Sequence, residues 1–481
     1  MRRSSAGWSS VDTVAVATIT LVAAAIRAVE MTSPEELVFD EDYYARDACT
    51  YVETSSALCG AAGEATTIHP PLGKWLIAGG IELFGFQPLG WRIAPVIAGT
   101  LTVALLYVLT RRLLRSTLGA AVASGALAID FLHVVMSRVA MLDVFVTLFA
   151  TAAVLFAIVD RDAVRHDAAR SARRVIARPW RAAAGAMAGA AIASKWSGVL
   201  VLTCVLVLTA IWEIARRRPD TGAVRRALRE EWGSVGVFLL ALPLAVYVAS
   251  YIGRLDATFL AVPGSREWWP RAFAGQQLEM LRFHSDLQGD HVYTSPAWSW
   301  LPLKRPVAFY FEVSDGRYRE ILALGNPALW WPGVAAVAYA AFRLARSPRA
   351  IAPEVVVVIL AALTYLPWLV LASRREVAFL YYLLPTIPWL CLALGLAAKQ
   401  LAHSRRTGRL LVPAWAILVI GLFVFYYPLL TARPLTYSGW KQRVVFHDCE
   451  TAAGDQVPRI VSGKTEPRLG IGKPPAGWCW V

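Results

Sequence analysis

The chain has 481 residues, of which 57% are hydrophobic, and its mean hydropathy is +0.49. Repeated apolar runs of membrane length indicate a polytopic membrane protein and exclude a soluble globular one. The net charge of +14 would suggest a nucleic-acid partner in a soluble protein, but here the arginines lie in short loops between apolar runs and mark loops that face the cytoplasm.

About eleven apolar runs are predicted to cross the membrane, starting from a cytoplasmic N-terminus marked by Arg2 and Arg3. With this orientation nearly every arginine-rich loop falls inside. Arg374 and Arg375 are the exception, so a role other than topology is expected for them. The predicted spans are 11–29, 91–109, 118–135, 141–159, 182–192, 199–211, 235–251, 327–342, 351–371, 377–398 and 410–427.

These spans divide the chain into four parts. An N-terminal membrane module, 1–253, carries a long outer loop, 30–90, and is followed by a second long outer loop, 254–326. A C-terminal module of four spans, 327–428, leads to an outer tail, 429–481. In the loop 254–326 two tryptophans precede a helix-like stretch, which is predicted to lie in the membrane interface, although an ordinary aromatic belt would need only the tryptophans.

Cysteine positions agree with this topology. Cys49, Cys59, Cys449 and Cys479 lie in polar segments on the outer, oxidising side, whereas the other two cysteines lie in apolar runs. Four cysteines allow three pairings; proximity in sequence favours Cys49 with Cys59 and Cys449 with Cys479.

The acidic stretch LVFDEDYY, 37–44, follows the first span directly, so its carboxylates lie at the membrane surface. A solvated loop would explain the stretch alone. However, the predicted topology brings further ionisable residues to the same surface, and a mixture of carboxylates and cations is typical of a site that binds a phosphate and removes a proton. These residues are Asp40, Glu41, His69, Lys74, Arg138, Asp143, Lys195, His291, Arg374 and Arg375.

Three motifs contribute to this set. In TIHPPLGKWLIA the prolines favour a helix start beside Lys74, which could bind an anion or anchor the chain at the interface by snorkelling. In MSRVAMLDVF, Arg138 and Asp143 could form a structural ion pair or hold a substrate phosphate. In SKWSG, the turn needs only its glycine, so Lys195 is available for binding. His69 has no second ligand at zinc spacing, so no metal site is expected.

Seven short pieces, in order across nearly the whole chain, resemble the protein O-mannosyltransferases, membrane enzymes of the GT-C glycosyltransferase fold. The pieces are FDE (39–41), HPPLGKW (69–75), SRVAMLD (137–143), SKWSG (194–198), HVYTSPAWSWLPLKRPVAFY (291–310), GNPALWWP (325–332) and FLYYLLPTIP (379–388). The resemblance implies an all-α polytopic protein of GT-C architecture, with about eleven transmembrane helices and an interfacial helix in the first and fourth outer loops. The loop 254–326 is too short for the β-trefoil domain of eukaryotic members, which indicates the bacterial, actinobacterial-like branch.

The resemblance further implies inverting transfer of mannose from a polyprenyl-phosphate mannose to Ser/Thr hydroxyls of secreted proteins at the outer face of the plasma membrane. The expected general base is Asp40, and Glu41 is expected to bind the acceptor. The donor phosphate or sugar is expected to contact Arg138, Lys195, Arg374, His69 and Lys74, with Asp143 positioning Arg138.

No cofactor is expected, and a requirement for a divalent cation is left open. The expected partners are the donor lipid, membrane lipid and secreted acceptor proteins. Contact with the secretion translocon is left open, and no nucleic acid is expected. Three alternatives remain: a GT-C enzyme acting on a lipid or cell-wall glycan, a transporter, and a scaffold. A transporter would need paired repeats and charges at mid-membrane depth, which the sequence does not show.

Overall fold

The structure, a computed structural model, describes residues 7–52, 59, 66, 68–166, 178–217, 222–286, 291, 293–375, 377–402 and 406–443. Its N-terminal half is helical. The helices are α1 (Ser10–Ala28), α2 (Glu41–Cys49), α3 (Leu72–Phe84), α4 (Pro88–Leu114), α5 (Thr117–Ala128), α6 (Phe131–Met136), α7 (Asp143–His166), α8 (Pro179–Ser194), α9 (Val199–Arg216), α10 (Ala223–Val235) and α11 (Leu242–Ala249), the last two joined by a π-helical segment, Gly236–Ala241.

The C-terminal half adds six helices and a β-hairpin. The helices are α12 (Trp269–Asp286), α13 (Pro327–Arg346), α14 (Pro353–Leu371), α15 (Ile387–Ala402), α16 (Arg406–Leu430) and α17 (Tyr437–Lys441), and the strands are β1 (Val307–Ser314) and β2 (Arg317–Ala323). The 3₁₀ segment Leu380–Thr386 leads into α15.

Nine helical segments of the described residues are long and apolar enough to cross a membrane, and α5 is a shorter apolar helix. The chain is therefore a multi-pass membrane protein. Each predicted span contains a helix, but the helices in two of them are shorter than the about 20 residues that a membrane crossing needs. The third, 118–135, is divided because α5 ends before Asp130, whose side chain caps α6. The fifth corresponds to α8, which has only 16 residues.

The hairpin of β1 and β2 was not expected in an all-α protein. The two strands pair antiparallel, with Val307 opposite Ala323. At the turn Asp315 and Gly316 both have positive φ angles, 50° and 69°, a conformation that Asp-Gly adopts at little cost in two-residue hairpin turns. The first five residues of β1, 307–311, are buried, so the hairpin is part of the hydrophobic core.

The two ends of the helix bundle carry different polar groups. Lys195 directly follows α8, and Arg178 directly precedes it. Since α8 has 16 residues, these two side chains start about 24 Å apart along the bundle. Arg178 joins an ion-pair network with Asp160 and Glu213. Lys195 lies at the opposite end of the bundle, close to α2, α3 and α12.

Candidate functional site

Asp40 occupies the N-cap position of α2 and follows a strained residue. Phe39 has a φ of 51°, in the left-handed region, which costs a non-glycine residue about 1–3 kcal/mol. Aromatic packing offsets this cost: the ring of Phe39 stacks on Phe309 at 4.5 Å and meets Phe379 and His291 edge-on, at 6.0 and 6.1 Å. The backbone ahead of Asp40 is therefore fixed by an aromatic cluster drawn from distant parts of the chain.

The carboxyl of Asp40 accepts hydrogen bonds from two tyrosines. The hydroxyls of Tyr44 and Tyr381 lie 3.3 and 3.5 Å from its Oδ2 atom. Although the residue as a whole is only half-buried, other side chains surround its carboxyl, and this burial raises the pKa of Asp40 to about 6. The charge of Lys195 lowers the same pKa and the charge of Asp143 raises it. At neutral pH this carboxylate is ionised and can still accept a proton.

Lys195 and Asp143 form a buried ion pair, with Nζ 2.8 Å from Oδ2. The ammonium group also lies 5.0 Å from the ring centroid of Tyr382 and 6.0 Å from that of Tyr381, close enough for cation–π attraction. The structure thus brings together Asp40, Asp143 and Lys195, which the sequence predicted to share one site. The tyrosines from the FLYYLLPTIP motif complete the site and were not singled out beforehand.

The expected pairing of Asp143 with Arg138 was wrong, because Asp143 binds Lys195 instead. The guanidinium of Arg138 donates to backbone carbonyls where α1 ends, including those of Val29 at 2.6 Å and Glu30 at 2.9 Å. The last carbonyls of a helix lack intrahelical partners and attract cations. Arg138 therefore stabilises the end of α1, and its predicted contact with a donor phosphate is untested.

Glu41 is fully buried, and both carboxylate oxygens are engaged. Arg92 donates to Oε1 at 2.9 Å and to Oε2 at 2.8 Å, while the backbone N–H groups of Val38 and Ala140 donate at 3.0 and 2.9 Å. This arrangement ties the loop before α2 to α4 and to the segment before α7. Acceptor binding by Glu41 stays a prediction; the observed contacts favour a positioning role.

Lys74 is also engaged. Its ammonium group lies 2.6 Å from a carboxylate oxygen of Asp47 and donates to the carbonyl of Thr66 at 2.8 Å. Burial lowers the pKa of Lys74, and Asp47 opposes this effect. Lys74 thus joins α3 to α2, and its predicted donor contact stays a prediction.

His69 lies in a cluster with His284, a residue of α12 that sequence reasoning missed. Their ring centroids are 5.1 Å apart, and the ring of His69 is 5.7 Å from that of Tyr44. Burial holds the pKa of His69 well below its usual value, so its imidazole is neutral at pH 7. Nδ1 of His69 has no hydrogen-bond partner within the described part of the chain.

Arg375, rather than Arg374, is turned towards this cluster. Its Nη2 atom lies 2.7 Å from Nδ1 of His284, whose Nε2 atom lies 3.0 Å from the carbonyl oxygen of Ile68. Burial and the neighbouring Arg375 charge lower the pKa of His284 to about 4, so this histidine is neutral and can accept from the arginine. Arg374 is exposed. The sequence analysis identified both arginines as candidates, but nothing in the sequence indicates which of the two faces the site.

Other predictions about this end of the molecule have mixed outcomes. The disulfide Cys49–Cys59 is confirmed. The predicted pair Cys449 and Cys479 lies outside the described residues. Within the described ranges, no group of three or more His, Cys, Asp or Glu side chains is placed to hold a metal ion.

Two family models match the chain. Residues 89–254 match the dolichyl-phosphate-mannose-protein mannosyltransferase family, and residues 270–448 match the C-terminal four-transmembrane region of protein-O-mannosyltransferase. A polyprenol-phosphate-mannose–protein mannosyltransferase of Mycolicibacterium smegmatis is 31% identical over 91% of this chain and 92% of its own length. The protein of the same description from Mycobacterium tuberculosis is 30% identical over 89% and 90%.

A solved structure shows the same fold. It is the Saccharomyces cerevisiae protein O-mannosyltransferase Pmt1-Pmt2 complex bound to the sugar donor, which aligns with a TM-score of 0.74 over 92% of this chain and 93% of that chain, at 15% identity. The expected GT-C architecture is thereby confirmed. Together with the full-length similarity to the mycobacterial proteins, this shows that the chain belongs to the protein O-mannosyltransferase family.

Proposed function

We propose that this protein transfers mannose from a polyprenyl-phosphate mannose to Ser or Thr hydroxyls of proteins, with inversion at the anomeric carbon. The relatives named as polyprenol-phosphate-mannose–protein mannosyltransferases support this donor and acceptor. The observation that carries the proposal is the position of the Asp40 carboxyl beside the Lys195–Asp143 ion pair, because this arrangement combines a base with a cation in one buried site.

Asp40 is the general base of the proposed reaction. As the acceptor hydroxyl attacks the anomeric carbon, its proton passes to the carboxylate, a new C–O bond forms, and the bond from the anomeric carbon to the phosphate oxygen breaks. A pKa of about 6 suits this role, because the carboxylate is ionised at neutral pH yet more basic than an exposed one. The hydroxyls of Tyr44 and Tyr381 orient the carboxyl.

The leaving polyprenyl phosphate gains a negative charge and needs cations rather than a general acid. Lys195 is the first of these cations, because it lies next to Asp40 and Asp143 fixes its position. Arg375 is the second, since it lies against His284 at the edge of the same cluster. It replaces Arg374, which is exposed, in the set proposed from the sequence.

The site is proposed to face the cell exterior. The disulfide Cys49–Cys59 lies at the end of α2, the helix that Asp40 caps, and disulfides form in oxidising compartments. A cytoplasmic N-terminus agrees with this orientation. Contact with the secretion translocon stays a prediction.

The proposal is tested with Asp40→Asn in purified protein supplied with a synthetic mannosyl polyprenyl phosphate and a Ser/Thr peptide. Removing a general base is expected to lower the transfer rate by about 10²- to 10⁴-fold. The matched control is Asp42→Asn, because Asp42 lies two residues away on α2 and pairs only at the partly exposed surface with Arg46. Undiminished transfer by Asp40→Asn would remove this residue from the mechanism.

A second measurement tests the acceptor. Glycan or lipid acceptors are offered in place of the peptide, and the products are separated by mass. If the wild type mannosylates a lipid or glycan but not the peptide, the proposed acceptor is wrong while the roles of Asp40 and Lys195 stand.

A further inference from the structure

A groove of about 810 Å³ lies where α13 ends and α14 begins. It is far from the Asp40 site: α14 starts at the groove with Pro353, and the chain reaches Arg375, beside His284, only after this helix ends. With 19 residues, α14 spans about 28 Å. The groove therefore lies at the opposite membrane boundary from the Asp40 site.

The groove carries more positive than negative charge. Arg343, Arg346 and Arg349 line it against a single carboxylate, that of Glu354. Glu354 is engaged by Arg343, with 3.3 Å between Oε1 and Nε. Neither Arg346 nor Arg349 has an ion-pair partner among the residues that the structure describes, and the guanidinium of Arg346 lies 4.9 Å from the ring of Phe342.

Neighbouring arginines at the same boundary are neutralised by acidic residues. Four arginines lie within 3.4 Å of the carboxylates of Asp160, Glu213, Glu230 and Glu231. They are Arg178 just before α8, Arg181 in its first turn, and Arg216 and Arg217 at the end of α9. A small cavity beside this network and the groove are both lined by Ile351, so the two features adjoin. Among the described residues, carboxylates therefore pair with these four arginines but not with Arg346 or Arg349.

Apolar side chains adjoin the charged part of the groove. Phe342 and Ile351 line it and are 53% and 40% exposed, and Tyr339, one turn earlier on α13, is 50% exposed. All three lie on or next to membrane-spanning segments, where they would contact acyl chains. A free phosphate ion would make no use of this surface, whereas a phospholipid would use both parts.

We propose that this groove binds an anionic glycerophospholipid of the leaflet opposite the Asp40 site, with Arg346 and Arg349 contacting the headgroup phosphate. Guanidinium groups suit this contact because their planar array of donors matches phosphate oxygens. Basic pockets between membrane helices are recognised sites for anionic headgroups. The proposal does not depend on the transferase reaction, since no residue of the groove belongs to the Asp40 site.

The experiment is a lipid titration of the purified full-length protein in detergent, followed by native mass spectrometry. Phosphatidylglycerol, phosphatidylcholine with the same acyl chains, and inorganic phosphate are the three probes. The test variant is Arg346→Gln/Arg349→Gln. The matched control is Arg225→Gln/Arg229→Gln, which removes the same charge from exposed arginines of α10 at the same boundary.

The wild type and the control are expected to bind phosphatidylglycerol more tightly than phosphatidylcholine. The test variant is expected to lose about 5-fold in affinity for each arginine removed. Equal weakening of both double variants would show general charge attraction and overturn the proposal. Equal binding of the two lipids, or displacement of phosphatidylglycerol by equimolar inorganic phosphate, would overturn it as well.

A second variant keeps the test decisive if the double variant does not fold. Glu354→Gln removes the single carboxylate of the groove and releases Arg343. It is expected to bind phosphatidylglycerol about 5-fold more tightly than the wild type, and unchanged or weaker binding would contradict the proposed site.

Discussion

Replacing Glu41 with Gln tests whether this residue positions the site or binds the acceptor. Its carboxylate is fully buried and accepts two hydrogen bonds from Arg92 and two from backbone N–H groups. Glutamine has nearly the same shape but no charge, and its amide group turns a donor towards the guanidinium. The substitution therefore leaves Arg92, itself only 1% exposed, as an uncompensated buried charge.

Breaking a buried ion pair by removing one partner costs about 3–5 kcal/mol. The free energy of unfolding is expected to fall by this amount in Glu41→Gln. Because Glu41 joins the loop before α2 to α4 and to Ala140, the Asp40 carboxyl also loses its fixed position. We expect kcat to fall by up to about 10²-fold, as small misplacements of catalytic groups can do, while KM for the peptide changes little.

Denaturant unfolding in detergent and steady-state transfer assays measure the two effects. The control is Asp42→Asn on the same helix, whose partly exposed pair with Arg46 is expected to contribute no more than about 1 kcal/mol. A Glu41→Gln protein with unchanged stability and a raised KM for the peptide would refute the positioning role and favour the acceptor contact predicted from the sequence.

Three further outcomes are expected. The wild-type kcat/KM for the donor, which reports the free enzyme, should rise with pH through a midpoint of about 6, because the Asp40 base works only when ionised. Asp143→Asn should lower that midpoint, since it removes a charge that raises the Asp40 pKa, and a midpoint that stays in place would contradict this. Replacing Cys49 and Cys59 with Ser should lower the free energy of unfolding by about 3 kcal/mol and make the shift in thermal unfolding that reductant causes smaller than in the wild type. Lys74→Met should lower the free energy of unfolding by about 3–5 kcal/mol, because it leaves the buried carboxylate of Asp47 without its cation, while KM for the donor stays unchanged. A raised KM for the donor at unchanged stability would instead support donor binding by Lys74.

The positions of the membrane-spanning helices were largely predictable because hydropathy is a local property of the sequence. A helix is present in every predicted span, and Asp40, Asp143 and Lys195, which were predicted to share one membrane surface, do converge. The pair Cys49 and Cys59 was predictable from its separation of 10 residues. In each case a one-dimensional signal was enough to decide the outcome.

Side-chain partners were not predictable, because they depend on directions that the sequence does not encode. Asp143 and Arg138 are five residues apart and suggested a pair, yet the chain between Met136 and α7 is not helical, and Arg138 turns towards the end of α1. Likewise the 3₁₀ turn after α14 ends at Arg374, so Arg375 begins an extended segment and turns to His284. Both outcomes follow from local backbone geometry.

The two adjacent carboxylates, Asp40 and Glu41, show how neighbouring residues acquire different chemistry. Glu41 is fixed by the guanidinium of Arg92, and both of its carboxylate oxygens are occupied by hydrogen bonds. Asp40 has only tyrosine hydroxyls as close partners in the described chain, because the nearby Lys195 is already paired with Asp143. Burial of the Asp40 carboxyl without a charged hydrogen-bond partner raises its pKa to about 6.

This arrangement also makes the basicity of Asp40 depend on the donor. The charge of Lys195 lowers the Asp40 pKa. When a donor phosphate binds beside Lys195, its negative charge offsets that of the ammonium group, and the Asp40 pKa is expected to rise. The carboxylate would then become a stronger base only after the sugar donor has bound. The acceptor hydroxyl would therefore be deprotonated only when a mannose is available for transfer to it.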